Sequence, residues 1–149
     1  MIFATEAWFR GRWKMTRKIE DRRGPDAVFT GVAEFTPLSD AVLAYREVGE
    51  LSLGDSVMTA ERQYVWKFGQ NGEISVDFSD GRYFHSFNPE QNLTQARHLC
   101  VDDIYDVQFE FDRENNGVDV WQCIWRVAGP RKDYVSHTEF VRMPKNLEN

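Results

Sequence analysis

The sequence predicts an all-β chain, folded as a single antiparallel up-and-down β-barrel of about ten strands, and three observations carry that prediction. Apolar and polar residues alternate with period two through most of the chain, the pattern of strands with one covered face. Gly, Asn, Asp and Pro interrupt the alternation at intervals of roughly eight to fourteen positions, as hairpin turns require. Helical periodicity is nearly missing. A meander of this length either curls into a barrel or splits into two sheets, and closure removes the edges that an open sheet would expose.

Taken in order, the first strand is placed near 7–19, with Phe9, Gly11, Trp13, Met15, Arg17 and Ile19 on one side. Arg23-Gly24-Pro25-Asp26 turns the chain into a second strand near 27–36, where Phe29, Gly31, Ala33 and Phe35 share a face. A third strand is placed near 41–50 with Leu43, Tyr45, Glu47 and Gly49 together. Ser39 before Asp40-Ala41-Val42 would also serve as a helix cap, but the strand is preferred. The fourth, near 56–68, presents Ala60, Arg62, Tyr64, Trp66 and Phe68. Gln70-Asn71-Gly72 and Asp80-Gly81 then bound strands near 72–79 and 82–88, the latter with Tyr83, His85 and Phe87 inward. Ser86 to Leu93 is the longest stretch without strand signal and a candidate rim loop or lid. Strands near 95–101 and 104–112 follow, with Tyr105, Val107, Phe109 and Phe111 inward. After Asn115-Asn116-Gly117 comes a strand near 117–128, presenting Trp121, Cys123, Trp125 and Val127. Gly129-Pro130 leads to the last, near 132–142, with Tyr134, Ser136, Thr138, Phe140 and Arg142.

Length and composition set the bounds. The 149 residues make one domain, 1–149, able to bury a core without staples. Aromatic residues form 14% of the chain, so that core is built largely of rings. A net charge of -6 argues against a dedicated nucleic-acid binder, and the basic stretch from Arg10 to Arg23 reads as a solvated strand edge. Cys100 and Cys123 match no disulfide or zinc pattern and imply reduced thiols. No signal peptide or spanning run is visible, so a cytoplasmic protein without a membrane partner is expected, monomer or homodimer being left open. Asn92-Leu93-Thr94 fits a glycosylation sequon but carries no weight without a secretion signal.

The inward faces are aromatic but not dry. Arg17, Glu47, Arg62, His85 and Arg142 all fall on them, and a buried charge without a partner costs several kcal/mol. Glu47 and Arg62 lie on neighbouring strands and would make a structural pair. The alternative, preferred for the set, is a wet cavity, because convergent polar groups on an aromatic wall are what small-molecule pockets contain.

Gly11-Arg12-Trp13 on the first strand, with Arg142 closing the last, resembles the Gly-x-Trp and terminal Arg pairing of lipocalin-like (calycin) proteins. The resemblance implies that Trp13 packs across the closed end of the barrel with Arg142 over it, making Gly11, Trp13 and Arg142 residues of the fold. More widely the chain resembles a bacterial family of domains of unknown function. The resembling segments are Tyr45-x-Glu47-x-Gly49, Arg62-x-Tyr64-x-Trp66, Asp80-Gly81-Arg82 with Phe84-His85, His98-x-Cys100-x-x-Asp103-x-Tyr105, and Trp125 through Tyr134. That resemblance implies a calycin-like barrel and no settled activity.

No cofactor is predicted. His85, His98, Cys100 and Asp103 offer potential zinc ligands, but without the tight spacing zinc sites show. Some small barrels related to lipocalins hold haem through one His. The resemblance would point to His137, which should face outward here. An enzyme is the rival class: His98, Cys100, His85 and Asp103 contain a nucleophile, bases and an orienting acid, and Glu47 or His85 would serve acid/base chemistry. An interaction module would require Trp8, Tyr83 and Trp121 to lie together outside. The preferred reading is a barrel binding a small anionic or polar-aromatic molecule. In it Arg17 and Arg62 receive charge beside Glu47, and Tyr45, Tyr64, His85, Tyr105 and Tyr134 supply polar contacts. Trp66, Trp121 and Trp125 form the wall.

Overall fold

Among the described residues ten antiparallel strands realise the alternation: β1 (Gly11–Asp21), β2 (Ala27–Ser39), β3 (Val42–Leu53), β4 (Ser56–Phe68), β5 (Ile74–Phe78), β6 (Tyr83–Phe87), β7 (Leu93–Cys100), β8 (Asp103–Asn115), β9 (Val118–Ala128) and β10 (Asp133–Arg142). This computed structural model describes residues 5–90, 93–100, 103–115 and 117–144, with 93–100 and 112–115 described by backbone alone.

Each strand pairs with its neighbours in sequence, and β1 also pairs with β10, giving the order β6-β5-β4-β3-β2-β1-β10-β9-β8-β7. The sheet curls on itself: Trp66 of β4 and Trp121 of β9, five places apart in that order, bring their rings within 6.0 Å. No ladder joins β6 to β7 among the described residues. Rings close the seam instead, Phe87 of β6 stacking on Phe109 of β8 at 3.9 Å.

Two local readings are corrected. The chain before Gly11 is not strand: Glu6–Phe9 form a helical turn, α1, whose first turn is capped by the Thr5 hydroxyl accepting from the Trp8 amide at 3.4 Å. Gly11, at φ +108, then turns the chain into β1, a conformation open to glycine. Phe9 is thereby driven into the barrel end and is fully buried against Phe35, Trp66 and Trp121. In β6 the expected inward Tyr83 is 58% exposed and Phe84 is buried instead. The cause is a register shift where Val76 faces His85 but Asp77 faces Tyr83, leaving Phe84 as an extra residue turned inward.

The helix alternative after Ser39 is not taken, and β3 runs as a strand from Val42. The expected stretch from Ser86 to Leu93 is shortened, because β6 continues to Phe87 and β7 begins at Leu93. No helix among the described residues is long and apolar enough to cross a membrane.

Arg142 sits over the Trp13 ring at 4.2 Å, and its guanidinium donates to the carbonyls of Trp8 and Arg10 and to Asp119. Trp13 in turn donates its indole N–H to the Phe9 carbonyl at 2.9 Å. One end of the barrel is therefore plugged by rings and tied by hydrogen bonds.

Candidate functional site

Polar groups begin one layer in from the plug. Arg17 of β1 and Glu47 of β3 form a buried ion pair at 2.6 Å, with a second hydrogen bond at 3.1 Å. The Arg17 Nε donates to the Thr138 hydroxyl at 2.8 Å, and the Tyr45 hydroxyl donates to Glu47 at 2.5 Å. Glu47 thus pairs with Arg17, not with its cross-strand neighbour Arg62. Burial by itself would raise the Glu47 carboxyl, but the Arg17 charge and the bonds from Arg17 and Tyr45 outweigh it and hold it below the ordinary range. It is ionised at neutral pH and has no proton to donate. Tyr45 moves the other way: burial, then the Glu47 charge, push its hydroxyl well above its ordinary value, so it stays a donor.

Next to this pair is a cavity of about 40 Å³, walled by Arg17, Tyr45, Glu47, Trp66, His85, Trp121 and Cys123, with Tyr64, Phe84 and Trp125 on one side. His85 is buried and stacks beside Phe87 and Phe109. Cys123 accepts from the Trp125 indole at 2.9 Å, and burial pushes its thiol up to about 12, so it is no nucleophile at neutral pH.

On the far side of the same Tyr64, Phe84 and Trp125 lies a second pocket of about 210 Å³, completed by Arg62, Phe78, Tyr105, Lys132 and Tyr134. Arg62 lies over the Trp125 ring at 5.4 Å and interacts with the Tyr64 hydroxyl; among the described residues no carboxylate pairs with it. Lys132 donates to the Tyr105 hydroxyl at 3.0 Å and stands 3.6 Å from Asp103. Burial raises the hydroxyls of Tyr64 and Tyr134 despite the Arg62 charge, which keeps both protonated.

All the ligand-site residues named from the sequence therefore line one of two adjoining spaces. Arg17, Tyr45, Glu47, Trp66, His85 and Trp121 are inside, Arg62, Tyr105 and Tyr134 at the mouth, and Tyr64 and Trp125 between them. Arg17, expected to receive a ligand's charge, is already neutralised by Glu47. The side chains of His98 and Cys100 lie outside the described residues. His137 is exposed and bonded to Gln122, and Trp121 is buried while Tyr83 is exposed, so the outer aromatic patch of an interaction module is not assembled. Lys132, Thr138 and Phe84 were missed as site residues. Thr138 was on an inward face from the start, whereas Lys132 sits in a turn and Phe84 depends on the bulge.

The model of a family of unknown function, DUF6314, matches residues 9–142. The chain belongs to that family. The matched span of this DUF6314 member runs from the plugging Phe9 to the tying Arg142 and takes in both spaces. No curated protein matches it in sequence. Among solved structures it is similar to the S-type phycobiliprotein lyase CPES from Guillardia theta, with a TM-score of 0.59 at 10% identity over 92% of this chain and 89% of that one. EF1p2_mFAP2b bound to DFHBI aligns at a TM-score of 0.43 and 10% identity, over 91% of this chain and 94% of that one. At this identity the likeness to the lyase is one of fold, a lipocalin-like barrel.

Proposed function

We propose that this chain binds a small anionic aromatic molecule in the second pocket, beside Arg62. The observation that carries the reading is Arg62, a cation held against Trp125 and Tyr64 in a concave, ring-lined pocket, with no carboxylate paired to it among the described residues. A ligand carboxylate gives it that partner in a charge-assisted bond, with Lys132 as a second cation on the rim. Trp125, Phe78 and Phe84 flank a flat body, and the protonated hydroxyls of Tyr64 and Tyr134 donate to its oxygens. Drug-sized ligands occupy pockets of about 300–1,000 Å³, so a space of about 210 Å³ suits a molecule of one or two rings.

The test is calorimetric titration with 2-naphthoate and its neutral counterpart 2-naphthamide. A hydrogen bond to a charged group contributes about 1.5–3 kcal/mol, so the carboxylate should bind about tenfold or more tightly, and Arg62→Ala should erase the difference. Equal affinity for acid and amide in the unmodified protein, or an Arg62→Ala variant that holds naphthoate as well as before, overturns the reading.

A further inference from the structure

We infer that the inner cavity receives one neutral hydrogen-bond acceptor, a carbonyl oxygen, at the far end of the molecule whose anionic end is held by Arg62. This rests on the mouth reading above and specifies its ligand: a flat aromatic carboxylate with a ketone or aldehyde at the end opposite the carboxylate.

Two side chains lead to it. Trp66 and Trp121 are 5% and 1% exposed, line the same cavity with ring centroids 6.0 Å apart, and neither indole N–H meets an acceptor among the described residues. An unmet buried donor costs about 1–3 kcal/mol, and native structures seldom leave two together. An indole nitrogen only donates, so whatever completes these groups must accept.

Charge decides the kind of acceptor. The Arg17 charge is taken up by Glu47, whose own carboxylate forms part of the cavity wall. An entering anion would lose its hydration, meet among the described lining residues an arginine already paired, and face Glu47, whereas a carbonyl needs only the two donors. Size decides the rest. A water occupies about 10–15 Å³ of such a space, so a cavity of about 40 Å³ has room for roughly three non-hydrogen atoms, an acetyl or formyl group and not a ring. The ring belongs in the outer pocket, which adjoins the cavity at Tyr64, Phe84 and Trp125.

A matched pair of probes tests it: 6-acetyl-2-naphthoate and 6-ethyl-2-naphthoate, which differ by a carbonyl in place of a methylene. A site built to donate hydrogen bonds disfavours the analogue that leaves its donors unpaired. The acetyl compound should therefore bind about tenfold or more tightly, and Trp66→Phe, which removes one of the two donors, should narrow the ratio between the acetyl and ethyl compounds. The ketone stretch of bound 6-acetyl-2-naphthoate, read by infrared difference spectroscopy on the unmodified protein, should move to lower frequency than in an apolar solvent. That readout needs no variant to fold. Equal binding of the two naphthoates, or an unshifted ketone band, overturns the inner site while leaving the mouth reading standing. Failure of both compounds, and of 2-naphthoate itself, to bind overturns both readings.

Discussion

Arg17 and Glu47 meet diagonally across Gly31. In the sheet register Trp13, Ala33 and Glu47 form one inward row of β1, β2 and β3; Met15, Gly31 and Gly49 form the next; Arg17, Phe29 and Leu51 the third. The midpoint of the diagonal from Arg17 to Glu47 in this register is Gly31, and the pair bonds across it at 2.6 and 3.1 Å. With Thr138 of β10 accepting from the same guanidinium, one ion pair braces the barrel wall from β10 to β3.

Removing one partner of that brace should cost far more than removing both. Glu47→Gln strands a buried guanidinium, and breaking a buried pair this way costs about 3–5 kcal/mol. The double variant Arg17→Met/Glu47→Leu replaces charge by apolar volume and should recover most of that loss. Urea unfolding of the two variants beside the unmodified protein measures it; a Glu47→Gln midpoint equal to that of the unmodified protein would mean the pair is not shielded from water.

The pair also fixes a pH dependence. Because Glu47 is held below its ordinary value of 4.5, the folded state binds its proton less readily than the unfolded chain. Its contribution to stability is complete above about 4.5 and is lost as pH falls through the lower folded value. The unfolding midpoint should therefore drop on acidification from pH 5, and the Arg17→Met/Glu47→Leu variant should show a flatter profile over the same interval.

What the sequence disclosed about this site follows from period two. Alternation alone put Arg17, Glu47, Arg62 and Trp121 on the inside, and strand pairing carried all of them there. It did not identify the partner of Glu47, because the adjacent strand offers Arg62 whereas the observed partner, Arg17, lies two strands away and reaches it diagonally. Nor did it disclose the exchange of Tyr83 for Phe84, since one extra residue in a bulge inverts the faces beyond it without any composition signal. Thr5-Glu6-Ala7-Trp8-Phe9 is too short to show helical period, so the plug was read as strand.

Gly31 and Gly49 face each other across β2 and β3 and should tolerate no side chain. A Cβ on Gly31 would stand 2.2 Å from the Val48 carbonyl oxygen, and one on Gly49 would stand 2.1 Å from that of Thr30. Both obstacles are backbone and cannot rotate away, so Gly31→Ala or Gly49→Ala should cost about 3 kcal/mol or more. Gly54→Ala has open space but a φ of +59, and should cost only about 1–2 kcal/mol. Thermal melts of the three variants give the ranking, and a Gly31→Ala protein as stable as Gly54→Ala would contradict it.

The buried Cys123 thiol, pushed up to about 12, should resist iodoacetamide at pH 8 in the folded protein and react in urea. Peptide mass mapping before and after denaturation reads this directly, and rapid alkylation of the native protein at Cys123 would show that the inner cavity is open to solvent.

Arg142→Lys keeps the charge at the closed end and should still be destabilising. The guanidinium there makes three separate contacts, from Nε to Asp119 at 2.7 Å, from one terminal nitrogen to the Arg10 carbonyl at 3.3 Å and from the other to the Trp8 carbonyl, while its plane covers Trp13. A lysine ammonium is a compact charge on a flexible stem and cannot hold that fork or stack on the indole. Losing one or two charge-assisted bonds and the ring contact should cost about 2–3 kcal/mol, measured by urea unfolding. The loss should be local in a readable way: Trp8 and Trp13, freed of their cover, should shift and broaden their indole resonances, while those of Trp66 and Trp121 stay in place. If Arg142→Lys unfolds at the same urea concentration as the unmodified protein, the charge alone accounts for the contact with Asp119, and the plug is held by Phe9 and Trp13 without the arginine.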